Sequence, residues 1–352
     1  MTRLYRQVTE HTPVASSVHQ TIRRSAAPHS PPDTRLSAVS PFCYAKSMRL
    51  PRRQGRRPSR STRATGARGT FLLSVLLCLV AAPCSASGYT APTCTPISGL
   101  SRVLHAPGVF VGDMHGTVQS PAFVKALICH VLKSGRAVML ALEYPSDQQH
   151  FLHSFLHSHS TDPSRALLAS PFWRRPTQDG RTSRAMLQLL NWIRRRIAEG
   201  AAVRVVAFGW EPPRGVTGTA RFNARDGRMA AQLRAELAGL PPGAFPIIFT
   251  GNVHARKTKG LPFINAPPDA ANAKPLGYRL RDLPYLHLNI IHDGGSIWAC
   301  YGTCGLHRFG KPGPAVSAFS IRPSSDPAYD LDYFVGPISA SPPAVAGHLK
   351  HP

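Results

Sequence analysis

From about Thr90 the chain alternates short, uniformly apolar runs with stretches in which apolar residues recur every three or four positions. The apolar runs at 108–111, 137–142, 203–208, 246–250 and 286–291 read as five strands. Between them the spacing predicts three amphipathic helices. The first, at 121–134, carries Phe123, Leu127, Ile128 and Val131 on one face. The second, at 183–199, carries Met186, Leu189, Leu190, Ile193 and Ile197, with Arg194 to Arg196 loading its C-terminal end and Gly200 stopping it. The third, at 225–240, carries Met229, Leu233 and Leu237. Strands without polar alternation must be covered on both faces. The expected fold is therefore a single α/β domain, a mostly parallel sheet with helices on both sides, over about 90–345.

Ahead of that domain the pattern disappears. Residues 1–70 show no apolar periodicity and are rich in Arg, Ser and Pro, so they are expected to form a disordered basic leader. The run 71–82 is apolar but spans only 12 residues, where a bilayer-crossing helix needs about 20. Basic residues before it and Cys84-Ser85-Ala86 after it fit a secretory signal cleaved after Ala86, which leaves no stable membrane span. The alternative is an uncleaved segment that anchors the chain in a membrane. Met48 offers a second start, in which case residues 1–47 are an over-extended gene start; an organelle presequence is the other reading.

The formal charge of +25 suggests a nucleic-acid partner until it is divided along the chain. Residues 1–70 hold 14 of the 42 basic residues and only two of the 17 acids. Beyond residue 86 the basic groups are scattered, apart from Arg194 to Arg196 and the Arg256, Lys257, Lys259 group, and no nucleic-acid motif accompanies them. A nucleic acid is not the expected partner; an anionic small-molecule or peptide substrate is.

Ligands of open parallel sheets bind beyond the carboxyl ends of the strands. Here those ends carry Gly112-Asp113-Met114-His115-Gly116, Glu143-Tyr144-Pro145, Gly209-Trp210-Glu211, Gly251-Asn252-Val253-His254 and His292-Asp293. Each member alone has a plain explanation as a turn or helix-cap residue. Glu143 does not, because it closes six apolar residues and a buried carboxylate must be paired. Arg225 and Asp226, at the start of the third helix, are expected at the same edge.

The ordered set Gly-Asp-Met-His-Gly, Glu143, Arg225-Asp226-x-x-Met229-Ala230 and Gly-Asn-x-His-Ala resembles the signature of the ChaN-like and erythromycin-esterase-like superfamily, which takes in Tiki-type proteases and TraB-like proteins. The resemblance spans roughly residues 105–300; many members carry Glu where this chain has Asp113. It implies an α/β fold with a strand-end site, among relatives that include water-activating hydrolases, metal-dependent proteases and haem-binding lipoproteins.

Two chemistries follow. In a hydrolase, His115, with an ordinary pKa of about 6.5, would be the general base, its tautomer fixed by Asp113 or Glu143. His254 would be a second acid or base, and Arg225, Asp226 and Asn252 would contact substrate. A metal-assisted form would use His115, Glu143 and His254 as ligands of a divalent metal. Trp173, Asp179 and Arg181 would form a lid, unless Asp179 or Ser183 only caps the following helix. In a binder without turnover, His150, His153 and His157, spaced along one helical face, would hold haem or a metal. The alternative is a solvated helix edge whose buried side is Phe151, Leu152, Phe155 and Leu156. Gly-x-Ser-x-Gly, P-loop and His-Glu-x-x-His motifs are absent from the chain.

Removal of the leader would leave Cys94, Cys129, Cys300 and Cys304. In an exported chain these suggest disulfides, with 300–304 the expected pair and Cys129 a buried thiol. A zinc clip of Cys300, Cys304 and His307 is the rival.

Overall fold

The computed structural model describes residues 93–345, leaving out 263–265 and 311–317. The basic leader, the apolar run and the signal cleavage site therefore lie outside the described residues.

The apolar runs become strands of one sheet: β1 (Val109–Asp113), β2 (Val138–Pro145), β3 (Val203–Gly209), β4 (Phe245–Gly251) and β5 (Leu286–Ile291). They lie parallel in the order β3-β2-β4-β1-β5. β1 and β2 run further than the apolar pattern indicates. Asp113 and Glu143, expected just past their strands, are the last part of the strands themselves.

The intervening helices are α1 (Ser101–Leu104), α2 (Gln119–Lys133), α3 (Gln149–Leu156), α4 (Ser164–Ala169), α5 (Arg184–Ala198), α6 (Gly218–Ala238), α7 (Asn252–Ala255) and α8 (Leu276–Arg279). α2, α3 and α5 bury Leu127, Leu152, Phe155, Leu190 and Ile193 against Val111, Leu140 and Leu142 on one face of the sheet. α6 and α8 bury Met229, Leu233 and Leu276 against Phe110, Met139 and Ala141 on the other. Successive side chains of a strand point to opposite faces, so uniformly apolar strands feed both layers. Ser183 caps α5, its hydroxyl accepting from the Met186 N–H at 3.4 Å. α6 starts seven residues before Arg225, so Arg225 and Asp226 lie well inside the helix rather than at its start.

The open edge of β3 is closed by one side chain. The Gln149 amide donates to the Val205 carbonyl at 3.1 Å and accepts from the Ala207 N–H at 2.6 Å, taking the place of a further strand.

Four strands were not expected. β8 (Ser320–Pro323) and β9 (Leu331–Phe334) extend the sheet beyond β5, with β9 parallel to β5 and β8 antiparallel to β9. β6 (Gly295–Tyr301) and β7 (Thr303–Phe309) form a separate antiparallel hairpin.

The cysteines form two disulfides, Cys94–Cys129 and Cys300–Cys304. The second is the expected pair. Cys129 is corrected from a buried thiol, because Cys94, though 35 positions away, packs against α2 beside it. The zinc clip is excluded: both of its thiols are oxidised, and the His307 ring bonds to the Ala299 carbonyl. Two disulfides place the chain in an oxidising environment outside the cytoplasm. Among the described residues, no helix is long and apolar enough to cross a membrane.

Candidate functional site

β4 lies between β2 and β1, and this order gathers the strand-end residues around Glu143. Glu143 Oε2 accepts from the Thr250 hydroxyl at 2.6 Å and the Gly251 N–H at 3.0 Å, both on β4. Its Oε1 accepts from Arg181 Nη1 at 3.1 Å. His115 Nε2 lies 3.6 Å from Oε2, and His254 Nε2 lies 3.9 Å from Oε1. Burial disfavours the charged form, but the pairings with His115 and Arg181 overcome it and hold the Glu143 carboxyl well below its usual range.

His115 sits between two carboxylates, with Nδ1 2.8 Å from Asp113 Oδ1 and Nε2 facing Glu143. Burial would lower its pKa; Asp113 first and Glu143 second outweigh that and raise it to about 10. At neutral pH the ring is therefore an imidazolium. In that state His115 has a proton to give and no lone pair with which to take one.

His254 has the opposite setting. Its Nδ1 lies 2.8 Å from Asp226 Oδ2, which also accepts from the Leu276 N–H at 2.7 Å. Its Nε2 lies 2.6 Å from Arg225 Nη2. Arginine only donates, so Nε2 accepts and the ring proton sits on Nδ1, shared with Asp226. Asp226 is fully buried in α6, and the Phe222 ring, one helical turn earlier, stacks on His254 at 5.2 Å and 9°.

The expected lid divides in two. Asp179 and Arg181 lie over Glu143: Arg181 Nη2 meets Asp179 Oδ2 at 2.7 Å, and Arg175 Nη2 meets Asp179 Oδ1 at 2.6 Å. Burial opposes ionisation of Asp179, but Arg181 and Arg175 hold its pKa low. Gly180 makes the approach possible. With φ at +94°, it places its Cα where an added Cβ would fall 2.3 Å from the backbone of Gly116. Trp173 is not a lid residue. It is buried in the core, edge-on to the Tyr144 ring at 6.2 Å. Asn252 begins α7, and its backbone carbonyl accepts from the Tyr329 hydroxyl at 2.7 Å.

Sequence reasoning missed what holds these loops. Gly116 O accepts from the N–H groups of Trp298 on β6, at 3.0 Å, and Ser341, at 2.8 Å. Trp298 Nε1 donates to Gln178 O at 2.9 Å. The hairpin thus fastens the His115 loop to the Arg181 turn. Its traces in the sequence are the expected Cys300–Cys304 pair and one tryptophan among glycines, neither of which points to the site. The buried Tyr144 hydroxyl has no hydrogen-bond partner, and Tyr144 lines a small pocket together with Asp113, His115, Glu143 and Arg181. That pocket, of about 20 Å³, has an apolar wall of Leu142, Met186 and Phe249 and room for about one water molecule.

The set His115, Glu143 and His254 does not fit a metal. Both Glu143 oxygens already accept hydrogen bonds, the His254 lone pair meets Arg225, and both His115 nitrogens face carboxylates. A cation there would also adjoin two guanidinium groups. Among the described residues, no group of three His, Cys, Asp or Glu is placed to hold a metal ion. His150, His153 and His157 stand on the exposed edge of α3, whose buried side is Leu152, Phe155 and Leu156. The His153 and His157 rings lie 4.5 Å apart, and His150 bonds to the Asp147 carbonyl. The apolar residues of α3 face the core, so the helix gives haem no apolar walls.

No protein-family model matches the chain, and no curated protein matches it in sequence. Solved structures do resemble it. A mutant of the erythromycin esterase EreC in its open conformation is 12% identical, with a TM-score of 0.44 over 69% of this chain and 78% of that one. A Bacillus cereus protein is 14% identical, with a TM-score of 0.45 over 69% and 91%. The haem-bound ChaN of Campylobacter jejuni is 13% identical, with a TM-score of 0.35 over 55% and 84%. The structure is thus similar to members of both groups whose motifs the sequence resembles; likeness at this level assigns no residue a role.

Proposed function

We propose that this chain is an exported, metal-independent hydrolase acting on a small-molecule or peptide substrate with an anionic group. The observation that carries the proposal is the double pairing around Glu143: a protonated His115 on one side and, on the other, His254 oriented by Asp226.

In this reading His254 Nε2 takes a proton from water, and the hydroxide oxygen bonds to the acyl carbon. The resulting tetrahedral oxyanion is stabilised by the positive side of the site, Arg181 and His115. On collapse, the bond from carbon to the leaving oxygen or nitrogen breaks, and His115 supplies the proton that the leaving group needs. His254 then returns its proton to solvent, and His115 recovers one. Asp226 keeps the proton of resting His254 on Nδ1 and stabilises the imidazolium that forms, while Glu143 holds both rings and Arg181 in register. Residues 71–86 serve as the export signal, which the two disulfides support.

The test is a panel of esters, lactones and peptides bearing carboxylate or phosphate groups, assayed with the secreted protein. His254→Ala and His115→Asn are each expected to lose about 10²–10⁴-fold in kcat. Full activity in either variant on a substrate that the parent turns over refutes the assignment. N-terminal sequencing is expected to find the mature chain beginning at Ser87.

A further inference from the structure

Arg225 covers the nitrogen through which His254 would act. Its Nη2 lies 2.6 Å from His254 Nε2, so the lone pair that a base needs is already engaged. The arginine's other contacts are weaker: its guanidinium carbon lies 5.8 Å from the centre of the Phe222 ring. Its approaches to acids are both 3.7 Å, Nη1 to Glu211 Oε1 and Nε to Asp226 Oδ1, beyond hydrogen-bond reach. Its buried Nε has no hydrogen-bond partner. Glu211 is itself exposed and is paired with Arg221 at 2.8 Å. The Arg225 side chain is 23% exposed, so part of it meets solvent. The histidine is fixed by contrast, held at Nδ1 by Asp226 and across its face by Phe222. Of this pair, the arginine is the member that can move.

We propose that Arg225 is a latch on His254, and that a carboxylate or phosphate group on the substrate releases it. This rests on the hydrolase reading and adds to it a substrate class and a reason why the resting site is silent. An anionic oxygen pair offers the guanidinium two charge-assisted hydrogen bonds, together stronger than its single bond to a neutral imidazole. When Arg225 turns to the anion, Nε2 loses its donor and its lone pair becomes available to water. No proton is transferred in the release: the guanidinium keeps all of its own, and the ring keeps the one on Nδ1. A neutral substrate leaves the latch shut. Arg225 thus selects the substrate by contact and controls the base through the same side chain.

The experiment follows the ring nitrogens of His254 by NMR in the ¹⁵N-labelled protein, titrated with inorganic phosphate and, in parallel, with sodium chloride at matched ionic strength. Phosphate is expected to move Nε2 toward the shift of an imine nitrogen without a hydrogen bond, while Nδ1 keeps its protonated shift; chloride is not. Arg225→Gln is expected to show the moved Nε2 without phosphate and no further response. Arg225→Lys keeps a charged donor, retains the phosphate response, and stands in if the glutamine variant does not fold. In turnover, phosphate is expected to stimulate cleavage of the neutral ester p-nitrophenyl acetate several-fold. Arg225→Gln is expected to start at the stimulated rate and gain nothing from phosphate. An Nε2 signal that ignores phosphate in the parent, or that still responds in Arg225→Gln, overturns the latch whether or not esters are cleaved. An Nε2 response without turnover of any ester upholds the latch and removes the hydrolase reading instead.

Discussion

Gly180→Ala tests whether the Arg181 turn rests on the His115 loop. A Cβ at Gly180 would lie 2.3 Å from both Cα and N of Gly116 and 2.8 Å from the carbonyl carbon of His115. These are backbone atoms, so no flexible side chain can yield. Two costs combine. Holding a residue with a Cβ at positive φ costs about 1–2 kcal/mol, and forcing an extra carbon into a filled contact costs about 1–3 kcal/mol. Gly215 separates the two: its φ is +97°, close to the +94° of Gly180, yet nothing lies within 4 Å of its added Cβ. Gly215→Ala should therefore show the backbone cost alone. In urea denaturation with unchanged m-values, Gly180→Ala is expected to be less stable than Gly215→Ala by about 1–3 kcal/mol. The overlap is relieved only if the turn lifts, which draws Arg181 off Glu143. Turnover should then fall in Gly180→Ala and not in Gly215→Ala. Equal stabilities, within about 0.5 kcal/mol, would mean that the turn does not rest on Gly116 and that the placement of Arg181 is wrong.

Four further outcomes are expected. Chain entropy gives about 4 kcal/mol for the disulfide joining positions 35 apart and about 2 kcal/mol for the one joining positions 4 apart, so replacing Cys94 and Cys129 by Ser should cost more than replacing Cys300 and Cys304; the reverse order in denaturation would refute the pairing. His115 is raised from an ordinary 6.5 to about 10, so its stabilising contribution is complete below about 6.5 and is lost as pH rises toward 10; His115→Asn should flatten the stability profile between those values, and an unchanged slope would count against the paired imidazolium. The lowered Glu143 carboxyl acts in the other direction, its contribution being lost as pH falls below the ordinary carboxylate range, and Glu143→Gln should blunt that acid loss. Chelation with EDTA should leave turnover unchanged, because the candidate ligand atoms are already hydrogen-bonded or paired; activity lost to EDTA and restored by zinc would overturn the metal-independent reading.

The five central strands were legible because each is buried on both faces and therefore apolar throughout. The hairpin β6–β7 was not, since only Ile297 among its residues is buried and glycines interrupt it. β8 and β9 are four residues each, and β9 carries the buried Asp332, so no apolar run marks them. The start of α6 was hidden for a related reason: before Asp226 only Thr219 in that helix is buried, which leaves no periodic stripe to read. The members of the candidate site could be named from the strand ends, but their partners could not. Arg181 reaches Glu143 across 38 positions, and Cys94 reaches Cys129 across 35. The charge on His115 depends on carboxylates from two different strands. Local pattern reports burial and element type; pairings across such distances are set by strand order.

Strand order also explains why the two histidines of the site have different neighbours. If β1 lay beside β2, Asp113 and Glu143 would end adjacent strands, and two carboxylates would face each other with no donor between them, which drives one to protonate. β4 lies between them instead, with Gly251 level with Asp113 and Phe249 level with Leu142. The intervening strand supplies Glu143 with the Thr250 hydroxyl and the Gly251 N–H, so the carboxylate stays charged where it is buried. His115, leaving β1, then enters a gap flanked by two anions and must carry a proton. His254 leaves β4 on the far side, reaches Asp226 on α6, and meets there the arginine that precedes it in the sequence. His115 is bounded by two carboxylates alone, whereas His254, besides Asp226 and the more distant Glu143, meets a guanidinium at Nε2. In the proposed mechanism that difference in neighbours assigns the first as proton donor and the second, once Arg225 is drawn away, as the acceptor.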